Sequence, residues 1–226
     1  MEEIIKSINA WEYIAELPTQ LLNFEFSLLK KQEDEIYYIF SYKHHGLNRE
    51  VISMYDRSTK EFLLKVRIGL LEYCDTLFIS NNIEKFEIVL KNRLNLLLKQ
   101  LEKFSIDNLD SILIEKQLIQ HEFSFELPQE LSGFKLFIKH TQPVKLINGS
   151  YVILDYSDFL NDSNLVIYYN IFRDEFFGEL RFRKTPEMIS DFDSKEVNEL
   201  GERIETRLSL ILKTMRTSIA VSEGLN

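Results

Sequence analysis

The sequence predicts an α+β protein: a tandem duplication of a helix, a four-stranded antiparallel meander and a helix, folded as two closely packed lobes. Three observations lead there. Shifted by 114 positions, residues 37–104 align with 151–218 without a gap. That register carries 14 identities in 68 positions, among them Tyr37/Tyr151, Tyr42/Tyr156, Tyr55/Tyr169, Phe62/Phe176 and Arg67/Arg181. Average composition supplies roughly four or five by chance. The earlier segment aligns at a shift of 110, pairing Glu16-Leu17-Pro18 with Glu126-Leu127-Pro128 and Phe24 with Phe134. The extra residues of the second copy fall in Thr141–Ser150, around Pro143 and the turn pair Asn148-Gly149. The first repeat is therefore read as 1–106 and the second as 107–226.

Taken in order, each copy opens with a helix. Ile4, Ile5, Ile8, Trp11 and Ile14 fall at helical spacing across Glu2–Glu16, and Ile112, Leu113, Leu118 and Ile119 do so less cleanly across about Asp107–Glu122. Pro18 and Pro128 halt them, because proline lacks the backbone donor a helix needs. Four strands follow: Asn23–Lys30, Glu35–Lys43, Arg49–Asp56 and Lys60–Ile68, then Gly133–Lys139, Tyr151–Tyr156, Leu165–Asn170 and Glu175–Arg183. Short polar breaks such as Arg57-Ser58-Thr59 favour hairpins. The closing helices carry the apolar stripes Ile83, Phe86, Leu90, Leu94, Leu98 and Val197, Leu200, Ile204, Leu208, Leu212. Ser80 and Ser194 stand before them as expected caps. The acids from Asp191 to Glu205 precede Lys213 and Arg216, an order that suits a solvated helix and its dipole better than a metal site.

An even turn between the third and fourth strands puts Tyr55 opposite Phe62 and Ser53 opposite Leu64. Alternation then gathers Val51, Ser53, Tyr55, Phe62, Leu64, Val66 and Ile68 on one face, the face helices should cover. Its equivalent holds Leu165, Ile167, Tyr169, Phe176, Gly178, Leu180 and Phe182. The opposite face is apolar with a charged rim, and it supplies the candidate interaction residues: Ile52, Met54, Leu63 and Arg67 in the first copy, Val166, Tyr168, Phe177 and Arg181 in the second. It can serve as lobe-on-lobe packing, as a surface for another protein, or as the wall of a small-molecule cleft.

Composition removes other classes. The 226 residues carry 27 Lys+Arg and 36 Asp+Glu, a net charge of −9. The first half (1–110) has 14 basic and 18 acidic residues and the second 13 and 18, so neither half has the positive charge that nucleic-acid binding needs. No apolar run approaches the length of a membrane span, and Met1-Glu2-Glu3 is acidic where a signal peptide is basic. One cysteine, Cys74, rules out a disulfide scaffold and fits a reduced, cytoplasmic compartment. It lies between Glu72 and Asp75, acids that oppose a thiolate, so it reads as a packing residue. His44-His45-Gly46 reads as a solvated loop rather than a metal site, since no third ligand stands at a diagnostic spacing. Zinc-protease, phosphate-loop and nucleophile-elbow motifs are all missing. The expectation is a non-enzymatic cytoplasmic protein-binding module without cofactor or metal, acting as chaperone, adaptor or inhibitor of a basic partner protein. The alternative is a binder of a small apolar ligand in a cleft between the repeats, lined by Tyr168 and Phe177.

Overall fold

The computed structural model describes residues 2–147 and 149–224, so Asn148 of the expected turn pair lies outside the described residues. Contacts divide the chain between Lys103 and Phe104 into two units. Each contains one antiparallel sheet, of six strands in the first and seven in the second, and few helices. This is the α+β class. Among the described residues no helix is long and apolar enough to cross a membrane.

In the first unit the opening helix is broken. Helix α1 spans Glu2–Asn9 and α2 only Tyr13–Glu16, not one rod over Glu2–Glu16. Trp11, in the break, donates its indole N–H to Glu87 Oε2 at 2.6 Å. Strands β1 (Gln20–Leu21), β2 (Phe24–Glu33), β3 (Ile36–His44), β4 (Arg49–Asp56), β5 (Glu61–Ile68) and β6 (Leu71–Cys74) pair in sequence order. Helix α3, Ile83–Glu102, follows. The expected meander had four strands. The additions are the short β1, a hairpin partner of β2, and β6, which turns back at Gly69, where φ is +60°, a conformation glycine adopts without steric cost.

The register runs as read: Tyr55 faces Phe62 and Ser53 faces Leu64. Val51, Ser53, Phe62, Leu64, Val66 and Ile68 are fully buried, and the α3 residue Phe86 stacks on Phe62 with ring centroids 5.4 Å apart. Ser80 does not cap α3. Its backbone pairs with Phe62, and Asn82 is the cap, its side chain accepting the Lys85 N–H at 2.9 Å. The apolar stripe begins at Ile83, which leaves Ser80 two residues too early.

The second unit has even less opening helix. Only α4 (Ser111–Glu115) and a single 3-10 turn stand in place of the helix expected over Asp107–Glu122. Strands β7 (Glu130–Leu131), β8 (Phe134–Ile138), β9 (Val144–Lys145), β10 (Ser150–Asp158), β11 (Ser163–Asn170), β12 (Glu175–Phe182) and β13 (Thr185–Ser194) precede α5 (Val197–Gly224). The sheet order is β13-β12-β11-β10-β8-β7, with β9 also on β10. Asp191 and Asp193 belong to the edge strand β13, not to the first turns of the helix. Tyr156, Leu165, Ile167, Phe176, Leu208 and Leu212 share one core between sheet and α5.

Some local features recur 114 positions apart. Both units carry a bulge in one strand: the β3–β4 register shifts between Tyr38 and Phe40, and the β10–β11 register between Val152 and Leu154, 114 positions later. Positive φ recurs at the same interval at Asn48/Asp162, Lys60/Asp174 and Gly69/Arg183. Phe62 pairs with Ser80, as Phe176 does with Ser194.

Candidate functional site

The face of each sheet turned from its helices holds the residues marked by the sequence. In the first unit Met54 stands opposite Leu63, Ile52 opposite Lys65 and Glu50 opposite Arg67. Ile52, Met54 and Leu63 are buried. Arg67 is partly exposed and bridges two acids, reaching Glu50 Oε2 with Nη1 and Glu72 Oε1 with Nε, each at 2.7 Å. Lys65 lies 3.4 Å from the same Glu72. Glu50, Lys65, Arg67 and Glu72 are thus paired across neighbouring strands, the favourable arrangement for facing strands.

In the second unit the face forms three rows across β10, β11 and β12. Val152 faces Tyr168, which faces Phe177; Asp155 faces Val166, which faces Glu179; Ser157 faces Asn164, which faces Arg181. Tyr168 and Phe177 stack, with centroids 5.0 Å apart and planes 18° from parallel. The Tyr168 hydroxyl donates to Glu179 Oε1 at 3.2 Å, and Arg181 Nε holds the same oxygen. Burial, with Glu179 beside it, keeps the Tyr168 hydroxyl protonated far above its ordinary range. Val166 and Tyr168 are buried, while Phe177 and Arg181 keep partial exposure.

Sequence reasoning missed the polar trio at the far corner. Asp155, Ser157 and Asn164 are 0–1% exposed. Asp155 Oδ1 accepts from Ser157 Oγ at 2.7 Å and from Asn164 Nδ2 at 3.2 Å. Asp155 Oδ2 and Asn164 Oδ1 have no donor. Burial drives the Asp155 carboxyl up to about 6 against the pull of its hydrogen bonds and of Arg181. The bulge hid this group: simple alternation from Tyr151 and Ile153 assigns Asp155 to the core face. The available signal was Asn164, which alternates with Val166 and Tyr168 inside an otherwise apolar strand.

The remaining reactive groups are held in structural roles. His44 Nδ1 accepts the Leu47 N–H, and His45 lies 3.6 Å from Glu25. Burial raises the Cys74 thiol, with Asp56 and Glu72 acting the same way and Lys65 opposing. Among the described residues no three His, Cys, Asp or Glu side chains meet to hold a metal ion. An open polar cleft of about 420 Å³ lies between the α4 region and the start of α5, lined by Lys116, Gln120, His121, Glu122, Glu196 and Asn198. Lys116 is committed there, to Asp174 at 2.8 Å and to the Lys195 carbonyl at 2.7 Å.

The geometry thus defines a two-unit α+β protein whose sheet faces carry paired charges and, at Asp155, a carboxyl with no exposure. Compared with known proteins, the chain matches no family model, and no curated protein or solved structure is significantly similar to it.

Proposed function

We propose that the chain is a non-enzymatic module that binds another protein, built from tandem copies of one segment, with the second copy adapted for binding. The shared bulge, positive-φ positions and Phe–Ser pairs support common descent of the copies. The observation that carries the binding reading is Phe172, which is 80% exposed. It sits in the β11–β12 turn, where Asn170 Oδ1 accepts the N–H groups of Phe172 and Arg173 at 2.9 and 3.1 Å. The β4–β5 turn is built the same way: Asp56 Oδ1 accepts from Ser58 at 2.7 Å and from Thr59 at 3.4 Å. One turn geometry is thus served by Ser58 in the first unit and by Phe172 in the second.

One edge of the ring lies over Gly149, where a side chain would collide with it, but most of its surface stays in water. A large apolar side chain presented to water from a braced turn is an anchor of the kind that dominates protein interfaces. Leu160, 96% exposed on the β10–β11 turn, repeats the pattern where the first unit has Gly46. The net charge of −9 favours a basic partner, and the single free Cys74 suits a reduced, cytoplasmic setting.

The test is capture on immobilised chain from an extract of the cells that make it, comparing wild type with Phe172→Ser. Wild type retains a protein in stoichiometric amount and the variant, with unchanged circular dichroism and melting temperature, loses it. Equal retention by both, or none by either, removes the reading.

A further inference from the structure

We infer that Asp155 and Asn164 are an acid–amide pair that stores a proton inside the second sheet, a lock whose loss weakens the fold of the second unit when that proton leaves. The inference rests on a count of donors. An ionised carboxylate only accepts hydrogen bonds. With Asp155 ionised, its Oδ2 and Asn164 Oδ1 are two acceptors without a donor, and both side chains have zero exposure. Such groups are rare in folded proteins, because each loses its water and gains nothing in return. The same amide already donates Nδ2–H to Asp155 Oδ1 at 3.2 Å. A proton on Oδ2 converts that orphan into a donor beside the one remaining acceptor. The amide then lies against the acid in a two-point pairing, and a buried charge disappears with the two orphans.

The surroundings supply no other neutraliser. Asp155 faces Ile138 on β8 and Val166 on β11, both apolar. Arg181 on β12 attracts it, but that guanidinium is bound to Glu179, which also takes the Tyr168 hydroxyl. Lys135, opposite Ser157 on β8, is exposed. The position 114 residues earlier is Ser41, 2% exposed and uncharged, so the corresponding place in the first unit also holds a neutral group.

The consequence for pH follows from the direction of the shift. The carboxyl is raised from 3.8 to about 6 in the fold, so its stabilisation is complete below about 4 and drains away as pH rises through about 6. From pH 5.0 to 7.5 the folding equilibrium constant of the second unit falls about tenfold on this group's account.

Urea unfolding of the full chain at pH 5.0 and 7.5, with wild type beside Asp155→Asn, tests the lock. An asparagine amide donates where the acid hydroxyl does, without a titrating proton. The variant matches wild type at pH 5.0 and exceeds its folding constant about tenfold at pH 7.5. An equal change at both pH values, in either direction, overturns the inference. If the variant does not fold, the carboxyl carbon shift of Asp155 in wild type labelled with 13C-aspartate decides. A midpoint near 6 supports the stored proton; a midpoint below 4, expected of an ionised carboxylate satisfied by buried water, overturns it.

Discussion

The Tyr42 hydroxyl donates to the carbonyl of Pro18 at 2.9 Å, tying the third strand of its sheet to the residue that ends the opening helices. Tyr156 and Pro128 repeat the bond at 2.7 Å in the second unit. Both rings are fully buried, so removing the hydroxyl leaves a carbonyl without its donor. Tyr42→Phe and Tyr156→Phe should each cost about 1–2 kcal/mol in urea unfolding. Burial raises both phenols to about 12, with Tyr13 adding to the effect at Tyr42. A raised acid keeps its stabilisation below its unfolded value, near 10, and loses it as pH climbs through 12. Wild type should therefore unfold steeply in that alkaline window, and the double Phe variant less steeply.

Helix α3 supplies a paired test of core and surface. Phe86 is fully buried and stacked on Phe62, whereas Ile88, two residues on, is 59% exposed. Phe86→Ala should cost about 3–5 kcal/mol through the cavity it opens. Ile88→Ala should stay within about 0.5 kcal/mol. Comparable losses at the two sites, measured by denaturant midpoints, would contradict the assigned helix face.

The turn into β13 is strained by its residues. Arg183 and Lys184 hold φ at +48° and +70° without a glycine between them, and left-handed backbone costs an ordinary side chain about 1 kcal/mol or more. Lys184 also makes a 3.7 Å pair with Asp162, but both side chains are at least half exposed, and such pairs contribute little. Lys184→Gly should therefore raise stability by about 0.5–1 kcal/mol, as a thermal melt would show.

That turn also marks the limit of sequence reading. Strands β4 and β5 were legible because their apolar residues alternate without interruption and an even turn joins them, which fixes both register and face. The hairpin into β13 carries none of the glycine or asparagine pairs that announce such turns, and Pro186 cannot donate to a strand ladder. The opening helices failed for a different reason. Ile4, Ile8 and Trp11 have helical spacing, yet Trp11 reaches Glu87 from outside a helix, a tertiary bond no local pattern reveals. On the candidate face, Ile52, Met54, Val166 and Tyr168 could be placed by alternation alone. Asp155 could not, because the one-residue bulge at Ile153 inverts the alternation on its strand.

Arg67 and Glu72 give a pH response opposite in sign to that of Asp155. Burial pulls the Glu72 carboxyl upward, but the Arg67 guanidinium outweighs burial, with help from Lys65, and holds it below its ordinary 4.5. A lowered acid contributes stability above its unfolded value and loses it as pH falls through the folded one. Arg67 also binds Glu50, whose side chain is only 13% exposed, so removing the cation leaves an acid on either side of β5 without its shared partner. Arg67→Ala should cost about 1–2 kcal/mol at pH 6, toward the lower end of hydrogen bonds to charged groups because Arg67 itself is partly exposed. As pH falls toward 3, Glu72 loses the advantage the guanidinium gives its charged form, so wild type gives up stability that the variant never had. The gap between the two urea midpoints should therefore narrow on acidification. A gap that stays constant from pH 6 to pH 3 would mean that Arg67 stabilises the sheet through its packed stem and not through its charge.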